Sequence, residues 1–335
     1  MKKTKLLIGL LVVLGIAVVL FLATRGSEKS TITNTDKDFA VKNTDDIEQV
    51  FIADRNGKTI TLAREKKGWI IAETQQKARS GAMQTLLETI KKMSVRYVPT
   101  QASVPNIVNE LATIGLKVEI FGKENKKIRS FYIGGVTPDE RGTYMIMEGS
   151  NNPYVMHLPS WEGGLRGRFF LDRNDWRDRT LFQEDVENIK NVTITYNTSK
   201  DKSFSVTHQG KRFEVVPADP QMPKNPTEAK KGYAEAYLTN FKSLIAEAFE
   251  EPSAMRDSIV QKSTFCVIEM TKQDGSVQKL SLHPIPSLDI YGDLVRNEQG
   301  LPVIERYFAV DEKKDCYLIQ HGVFEKILWS YQSFF

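Results

Sequence analysis

The sequence predicts an α+β fold of two tandem repeats, each a mainly antiparallel sheet with a packed amphipathic helix, after one N-terminal transmembrane helix. Two observations support the repeats: residue clusters of the first half recur in order in the second half, and each half combines strand-like alternation with one helix-like apolar stripe. The matched clusters are Ile47/Val50/Ile52 with Ile189/Val192/Ile194, Leu87/Ile90/Met93 with Leu238/Phe241/Leu244, Val118/Ile120 with Ile268/Met270, Phe131/Ile133 with Leu280/Leu282, Tyr144/Tyr154 with Tyr307/Tyr317, and Trp161/Leu165 with Phe324/Leu328.

The spacing between the two copies changes mainly at two proline-containing segments of the second half. One runs from Pro217 to Pro226 and the other from Pro284 to Pro302. Insertions collect in surface connections, since the entropy of closing a loop grows only slowly with its length. Both segments are therefore predicted to be loops that the shared scaffold does not need.

The first repeat begins with a predicted hairpin, QVFIAD and TITLAR joined at Asn56-Gly57, because Asn-Gly suits tight hairpin turns. The segment GWIIAE adds a third strand. An amphipathic helix follows and is predicted to end near Pro99, since Met83, Leu86, Ile90 and their neighbours recur at helical spacing. A shorter helix is predicted over residues 105–113, and four strands then follow: LKVEIF, IRSFYIG, TYMIME and PYVMHL.

The N-terminus predicts a membrane anchor. The apolar run from Leu6 to Ala23 carries no charge and is long enough to span a bilayer, so residues 6–24 are predicted to form a transmembrane helix. Lysines dominate residues 1–5, which places this tip in the cytoplasm and the bulk of the chain outside. A cleaved signal peptide is the alternative reading. Polar residues 25–38 predict a flexible stalk.

The remaining chain is predicted to divide into a first repeat over residues 39–171, a connector over 172–183 and a second repeat over 184–335. The net charge of +4 is small and scattered, which argues against nucleic-acid binding. The two cysteines, Cys266 and Cys316, have no counterparts in the first repeat. They could form a disulfide outside the cytoplasm, but two buried thiols are the favoured reading.

Several motifs resemble one family. The segments Asp38–Val41, Gly68-Trp69, Asn109–Leu116 (NELATIGL), Tyr132–Gly135 (YIGG) and Trp176–Phe182 (WRDRTLF) together resemble the domain-of-unknown-function family 4340, DUF4340. The resemblance implies a protein of the bacterial envelope, in the inner membrane with its bulk in the periplasm, often encoded beside ABC transporters of the gliding-motility type. It implies no catalytic residues.

The side chains that carry chemistry do not form a recognisable catalytic pattern. The four histidines are scattered, and no zinc, P-loop, dinucleotide or nucleophile-elbow motif is present. The acidic cluster around Asp172 lacks the glycine and glutamate of a calcium loop, because Arg177 and Gln183 stand at those positions. The sequence therefore predicts no enzyme activity, no metal and no cofactor. A hydrolase assembled from Asp172, Asp175 and His157 is the weakest alternative.

The predicted function is accessory binding of an envelope or transporter protein. Two candidate binding regions follow from the sequence. The first is the insertion that holds Leu288, Ile290, Tyr291 and Leu294, since binding residues often lie on loops of a rigid scaffold. The second is the connector pair Trp176 and Arg177, read either as a docking epitope or, preferably, as a buried structural link. The alternative function is a periplasmic ligand- or glycan-binding module that uses a groove between the repeats.

Overall fold

The computed structural model of the protein describes residues 34–159, 161–262 and 264–335. They form two compact units that divide between Arg177 and Asp178, inside the predicted connector. The predicted transmembrane helix at residues 6–24 and most of the stalk lie outside the described residues. Within the described part of the chain, none of the helices combines the length and the apolar character needed to cross a bilayer.

Unit 1 is built on a nine-stranded antiparallel sheet in the order β4-β3-β2-β1-β6-β7-β8-β9-β5. Its strands are β1 Gln49–Ala53, β2 Thr59–Glu65, β3 Gly68–Ile71, β4 Gln76–Lys77, β5 Ser94–Tyr97, β6 Leu116–Phe121, β7 Lys127–Val136, β8 Thr143–Met147 and β9 Tyr154–His157. Its helices are α1 Ser80–Lys92, α2 Val104–Ile114 and α3 Arg173–Trp176.

Unit 2 repeats this plan with an eight-stranded antiparallel sheet, in the order β13-β12-β11-β16-β17-β18-β19-β15, and a separate β10-β14 pair. Its strands are β10 Thr180–Phe182, β11 Ile189–Tyr196, β12 Phe204–Gln209, β13 Arg212–Pro217, β14 Leu244–Ile245, β15 Ala248–Phe249, β16 Cys266–Lys272, β17 Val277–Pro286, β18 Ile304–Asp311 and β19 Cys316–Gln320. Its helices are α4 Tyr233–Thr239, α5 Ala254–Lys262 and α6 His321–Phe324. The α+β prediction is thereby confirmed.

The central strands of the two sheets share their register as well as their order. Val50 of β1 pairs with Ile120 of β6, and the residues matched to them, Val192 and Met270, pair in β11 and β16. Each of these four side chains is buried. A one-residue slip would turn the whole apolar set of a strand to the opposite face, so shared register means shared core positions.

The main helices are tied to the chain entry by equivalent backbone bonds. In unit 1 the N–H of Val41 donates to the carbonyl of Ile90 at 3.1 Å, and in unit 2 the N–H of Glu184 donates to the carbonyl of Phe241 at 3.0 Å. Ile90 is buried on α1, and its matched residue Phe241 is buried in the 3-10 turn Asn240–Lys242 that follows α4. The duplication therefore extends to how helix and entry segment are joined.

One matched pair from the sequence is wrong. Tyr144 lies on the α2 side of the sheet, against Ile107 and Leu111, whereas Tyr307 lies in the main core of unit 2. The register shows why, because Tyr154 pairs with Met145 while Tyr317 pairs with Ala309. The copies therefore differ by one residue between these strands, and the ten-residue spacing of the tyrosines is a coincidence.

The matched aromatic residues Trp161 and Phe324 differ in burial. Phe324 is fully buried, but Trp161 is 40% exposed. The Arg168 guanidinium lies over the Trp161 ring at 4.2 Å, a cation–π contact that suits a half-open aromatic surface. Helix α1 also ends earlier than predicted, at Lys92, because residues 94–97 pair with β9 as an edge strand.

Candidate binding surfaces

The connection between β17 and β18, residues 287–303, forms an ordered projection that we call the arm. The equivalent connection in unit 1 is the short turn 137–142. Within the arm, the N–H groups of Ser287, Val295 and Val303 donate to the carbonyls of Val303, Ser287 and Val295, each at 2.9 Å. These bonds hold three short segments side by side, so the arm is a folded element.

Two turns of the same kind form the ends of the arm. In residues 289–293 the Asp289 carboxylate accepts from the N–H groups of Tyr291 and Asp293, and Gly292 takes a φ of 88°. In residues 297–301 the Asn297 side-chain oxygen accepts equivalent bonds, with Gly300 at a φ of 76°. Aspartate or asparagine followed by glycine favours such turns, since glycine adopts positive φ without strain.

The arm presents the four apolar side chains that the sequence singled out. Ile290 and Tyr291 are 90% and 83% exposed, and Leu288 and Leu294 are exposed as well. Val295 and Leu301 of the same insertion are exposed as well, and of these sequence reasoning missed Leu301. Among ordered residues, an apolar group of this size in solvent is typical of an interaction surface.

The other predicted candidates, Trp176 and Arg177, are buried inside unit 1. The Trp176 indole N–H donates to the Phe170 carbonyl at 3.0 Å, and the backbone N–H of Arg79 donates to the Trp176 carbonyl at 2.6 Å. Leu181 of the same motif lies on β10 and is buried in the core of unit 2. The burial favours the structural reading of this motif over the docking epitope.

A second surface occurs in both units, beside the hairpin of the second and third strands. In unit 1 the Arg64 guanidinium donates to the carbonyls of Ile47 and Thr44, both at 2.8 Å. It also lies over the Trp69 ring at 4.8 Å. Arg64 therefore ties the strand pair to the 3-10 turn Thr44–Asp46 that precedes β1.

His208 does the same in unit 2. Its Nδ1 lies 3.1 Å from the Val186 carbonyl and 3.0 Å from the Ile189 carbonyl, while Nε2 lies 2.7 Å from the Gly210 carbonyl. The ring thus lies within hydrogen-bond distance of three backbone carbonyls. The ring stacks on Phe213 with centroids 4.6 Å apart. Arginine and histidine thus hold equivalent places.

Each anchor borders a surface groove. In unit 1 a cavity of about 470 Å³, which we call the lysine groove, lies between α1, β3 and the 3-10 turn at Thr44. In unit 2 a cavity of about 550 Å³, the second groove, lies at the equivalent position beside His208 and Phe213. The repeat therefore duplicates a potential binding site as well as a core.

The residues proposed for a hydrolase have separate structural surroundings. Asp172 caps α3 through the N–H of Asn174 at 2.9 Å and pairs with Lys58 at 3.2 Å, and these contacts lower the pKa of its carboxyl. His157 ends β9, where burial and the nearby Arg96 lower the pKa of its ring. Among the described residues, no three histidine, cysteine or acidic side chains are grouped as metal ligands would be.

The cysteines are two buried thiols that are not bonded to each other. Burial raises the pKa of Cys316 to about 11 and raises the pKa of Cys266 well above the usual thiol range. Thiols react as thiolates, so both side chains are chemically quiet at neutral pH. The reading as buried thiols agrees with this structure.

Two of the motifs that carried the family resemblance pack on each other. Gly134 and Gly135 of β7 lie under α2, where a Cβ on Gly134 would come within 2.9 Å of the Leu111 side chain. The N–H of Gly135 donates to the Glu110 carboxylate at 2.9 Å. The glycine pair thus lets the helix of the NELATIGL motif approach the strand of the YIGG motif.

Comparison with known proteins identifies one family. No curated protein and no solved structure shows significant similarity to the chain. Residues 99–262 match the family model described as "Domain of unknown function (DUF4340)", and the matched part runs from the loop after β5 in unit 1 to the end of α5 in unit 2. The match confirms the resemblance seen in the motifs, and over these residues the chain belongs to the DUF4340 family.

Proposed function

We propose that this protein is a non-enzymatic, membrane-anchored protein of the bacterial envelope that binds a partner protein as an accessory component of an ABC-type transport system. Its N-terminal helix holds it in the inner membrane, and both units lie on the periplasmic side. The composition of residues 1–24 supports the anchor, and the motif resemblance supports the setting.

The arm is the observation that carries the proposal. It is absent from unit 1, so the repeated scaffold does not require it, yet its backbone is ordered by internal hydrogen bonds. Burying one large apolar side chain at an interface is worth roughly 1.5–3 kcal/mol, and aromatic residues such as Tyr291 are frequent anchors. A preformed arm also loses little conformational entropy on binding, which favours affinity.

A loop graft tests the role of the arm. Residues 287–303 are replaced by the unit 1 turn 137–142, which connects the equivalent strands β7 and β8 without an arm. Detergent extracts of cells that produce the full chain are then purified and analysed by mass spectrometry. We expect membrane transport subunits to co-purify in defined proportion with the wild type and to be lost with the graft.

A point variant and a matched control complete the test. Ile290→Asp should remove the partner, since it places a charge at the most exposed apolar position. Met255→Asp introduces the same charge on α5, at a methionine that is 63% exposed and outside the arm, and should leave binding intact. Equal recovery of transport subunits with all variants, or no reproducible envelope partner of the wild type, would refute the proposal.

The membrane orientation has its own test. Fusion of a phosphatase reporter, active only outside the cytoplasm, to Phe335 should give active enzyme, whereas fusion of a fluorescent protein that matures only in the cytoplasm should stay dark. The reverse result would place the units inside the cell. The alternative of a glycan-binding module stays a prediction.

A further inference from the structure

We propose that the lysine groove of unit 1 binds an extended acidic peptide segment of a partner protein. This is a second site, on another unit from the arm, and it does not depend on the function proposed for the arm. Its argument rests on the shape of the groove, its apolar floor, its charge and its contrast with the second groove.

The groove follows nearly the whole length of α1. Ser80, Met83, Leu87 and Lys91 line it, and they recur at the spacing of one helical face. At the helical rise this stripe covers about 17 Å. An extended chain advances about 3.3 Å per residue, so the groove accommodates about five residues of extended peptide.

The floor of the groove is apolar. Met83 and Ala78 are buried beneath it, while Trp69 and Leu87 are half-buried and present part of their surface to it. The guanidinium of Arg64, on the neighbouring strand β2, lies over the Trp69 ring. A floor of aliphatic, thioether and indole groups suits one or two apolar side chains of a ligand.

The rim of the groove is basic. Four of its lining residues are lysines and one is an acid: Lys67, Lys77, Lys91, Lys92 and Glu88. Glu88 forms an exposed i,i+4 ion pair with Lys92, in which the Glu88 Oε2 and the Lys92 Nζ lie 3.7 Å apart. Among the described residues, Lys67 and Lys91 form no ion pair. A concave surface with this excess of positive charge attracts anionic groups.

The second groove shows that the fold does not require this charge. Lys211 lines it together with two acids, Glu187 and Glu235, and with His208, which is already committed to backbone carbonyls. The second groove therefore has no excess of positive charge, although its position in the repeat is the same. The excess of lysines in the unit 1 groove is therefore a local feature that the shared scaffold does not require.

The occupant that fits best alternates acids with apolar side chains. In an extended peptide successive side chains point in opposite directions, so one set can meet the floor and the other the lysine rim. An anionic glycan would satisfy the lysines but has few apolar groups for a floor that includes Met83 and Leu87. The acidic peptide accounts for both properties of the groove.

Fluorescence anisotropy measures the binding directly. The probe is a fluorescein-labelled peptide of alternating glutamate and leucine, and the protein is the full-length chain purified in detergent at low ionic strength. We expect saturable binding that weakens as salt is added, because exposed charges are screened. A peptide with serine in place of leucine should bind about tenfold more weakly, since the floor then loses its apolar contacts.

Charge reversals locate the site. The double variant Lys67→Glu/Lys91→Glu should weaken binding at least tenfold, and both side chains are exposed, so the fold should be kept. The control variant Lys123→Glu/Lys126→Glu makes the same change at the exposed turn between β6 and β7, and Lys211→Glu makes it in the second groove. Both controls should bind like the wild type.

Three results would overturn the proposal. They are absence of saturable binding at low salt, equal weakening by the groove variant and the controls, and equal affinity for the leucine and serine peptides. Polygalacturonate that binds more tightly than the peptide and depends on Lys67 and Lys91 would make the groove a glycan site instead. The arm graft should leave peptide affinity unchanged, which separates this test from that of the proposed function.

Discussion

Replacing Arg64 by alanine tests whether the duplicated anchor stabilises each unit. The change removes two hydrogen bonds of 2.8 Å from a charged donor, to the carbonyls of Thr44 and Ile47, and the contact with Trp69. A hydrogen bond to a charged group is worth about 1.5–3 kcal/mol when both partners are shielded. Arg64 is half-buried, so in the variant water can partly replace its hydrogen bonds to the two carbonyls. We therefore expect a total loss of about 2–3 kcal/mol in the free energy of unfolding.

The matched experiment tests whether arginine can replace histidine at the equivalent position of unit 2. His208→Ala should cost unit 2 about as much as Arg64→Ala costs unit 1, whereas His208→Arg should retain stability within about 1 kcal/mol. Arginine can supply donors to the same carbonyls, at Val186 and Ile189, and can stack on Phe213.

Urea unfolding followed by tryptophan fluorescence and by circular dichroism measures these changes. Three of the four tryptophans, Trp69, Trp161 and Trp176, lie in unit 1, so fluorescence reports mainly on that unit. The reasoning is refuted if Arg64→Ala changes the free energy of unfolding by less than about 0.5 kcal/mol, or if His208→Arg is as damaging as His208→Ala.

Three further predictions concern stability and reactivity. Cys266 and Cys316 should react with a thiol reagent only after denaturation, because both are buried with raised pKa values; fast labelling of the native chain would contradict this. Gly164→Ala should destabilise unit 1 by about 1–3 kcal/mol in thermal unfolding, since its Cβ would lie 2.1 Å from a valine side chain, while Gly167→Ala, with open space around it, should be neutral. Burial raises the pKa of Glu119 but two lysines outweigh it, so the pKa is lowered in the folded state; its contribution to stability should hold at neutral pH and be lost as the pH falls below the ordinary carboxyl range. Glu119→Gln should flatten that acid limb, and an unchanged limb would show that the ion pairs contribute nothing.

The sequence predicts the repeated scaffold well because core positions obey strict periodicity. Val50 and Val192 occupy equivalent register positions, as matching clusters implied, since a strand cannot slip without exposing its apolar face. The pattern fails where a side chain can serve either face. Tyr144 and Tyr307 are both tyrosines, so residue type alone does not reveal that they lie on opposite sides of their sheets.

The two candidate sites also differ in how far the sequence predicts them. The arm could be found from the sequence, because an insertion with exposed-looking residues such as Ile290 has no partner in the other repeat. The lysine groove could not, since Lys67 and Lys91 come from a hairpin and a helix that only the fold brings together. Each lysine alone reads as an ordinary solvated charge. Trp69 and Phe213 hold equivalent places opposite Arg64 and His208 in their hairpins, but this match indicates only a shared aromatic position.

The central claim, that the arm docks on an envelope partner, is tested most directly by site-specific photo-crosslinking in intact cells. A photoreactive amino acid replaces Tyr291 at the arm, and in a parallel strain Met255 on α5, both being strongly exposed. The account predicts that position 291 crosslinks to a transport subunit of the inner membrane and that position 255 does not. Crosslinking of the same subunit from both positions, or of none from position 291, would contradict it.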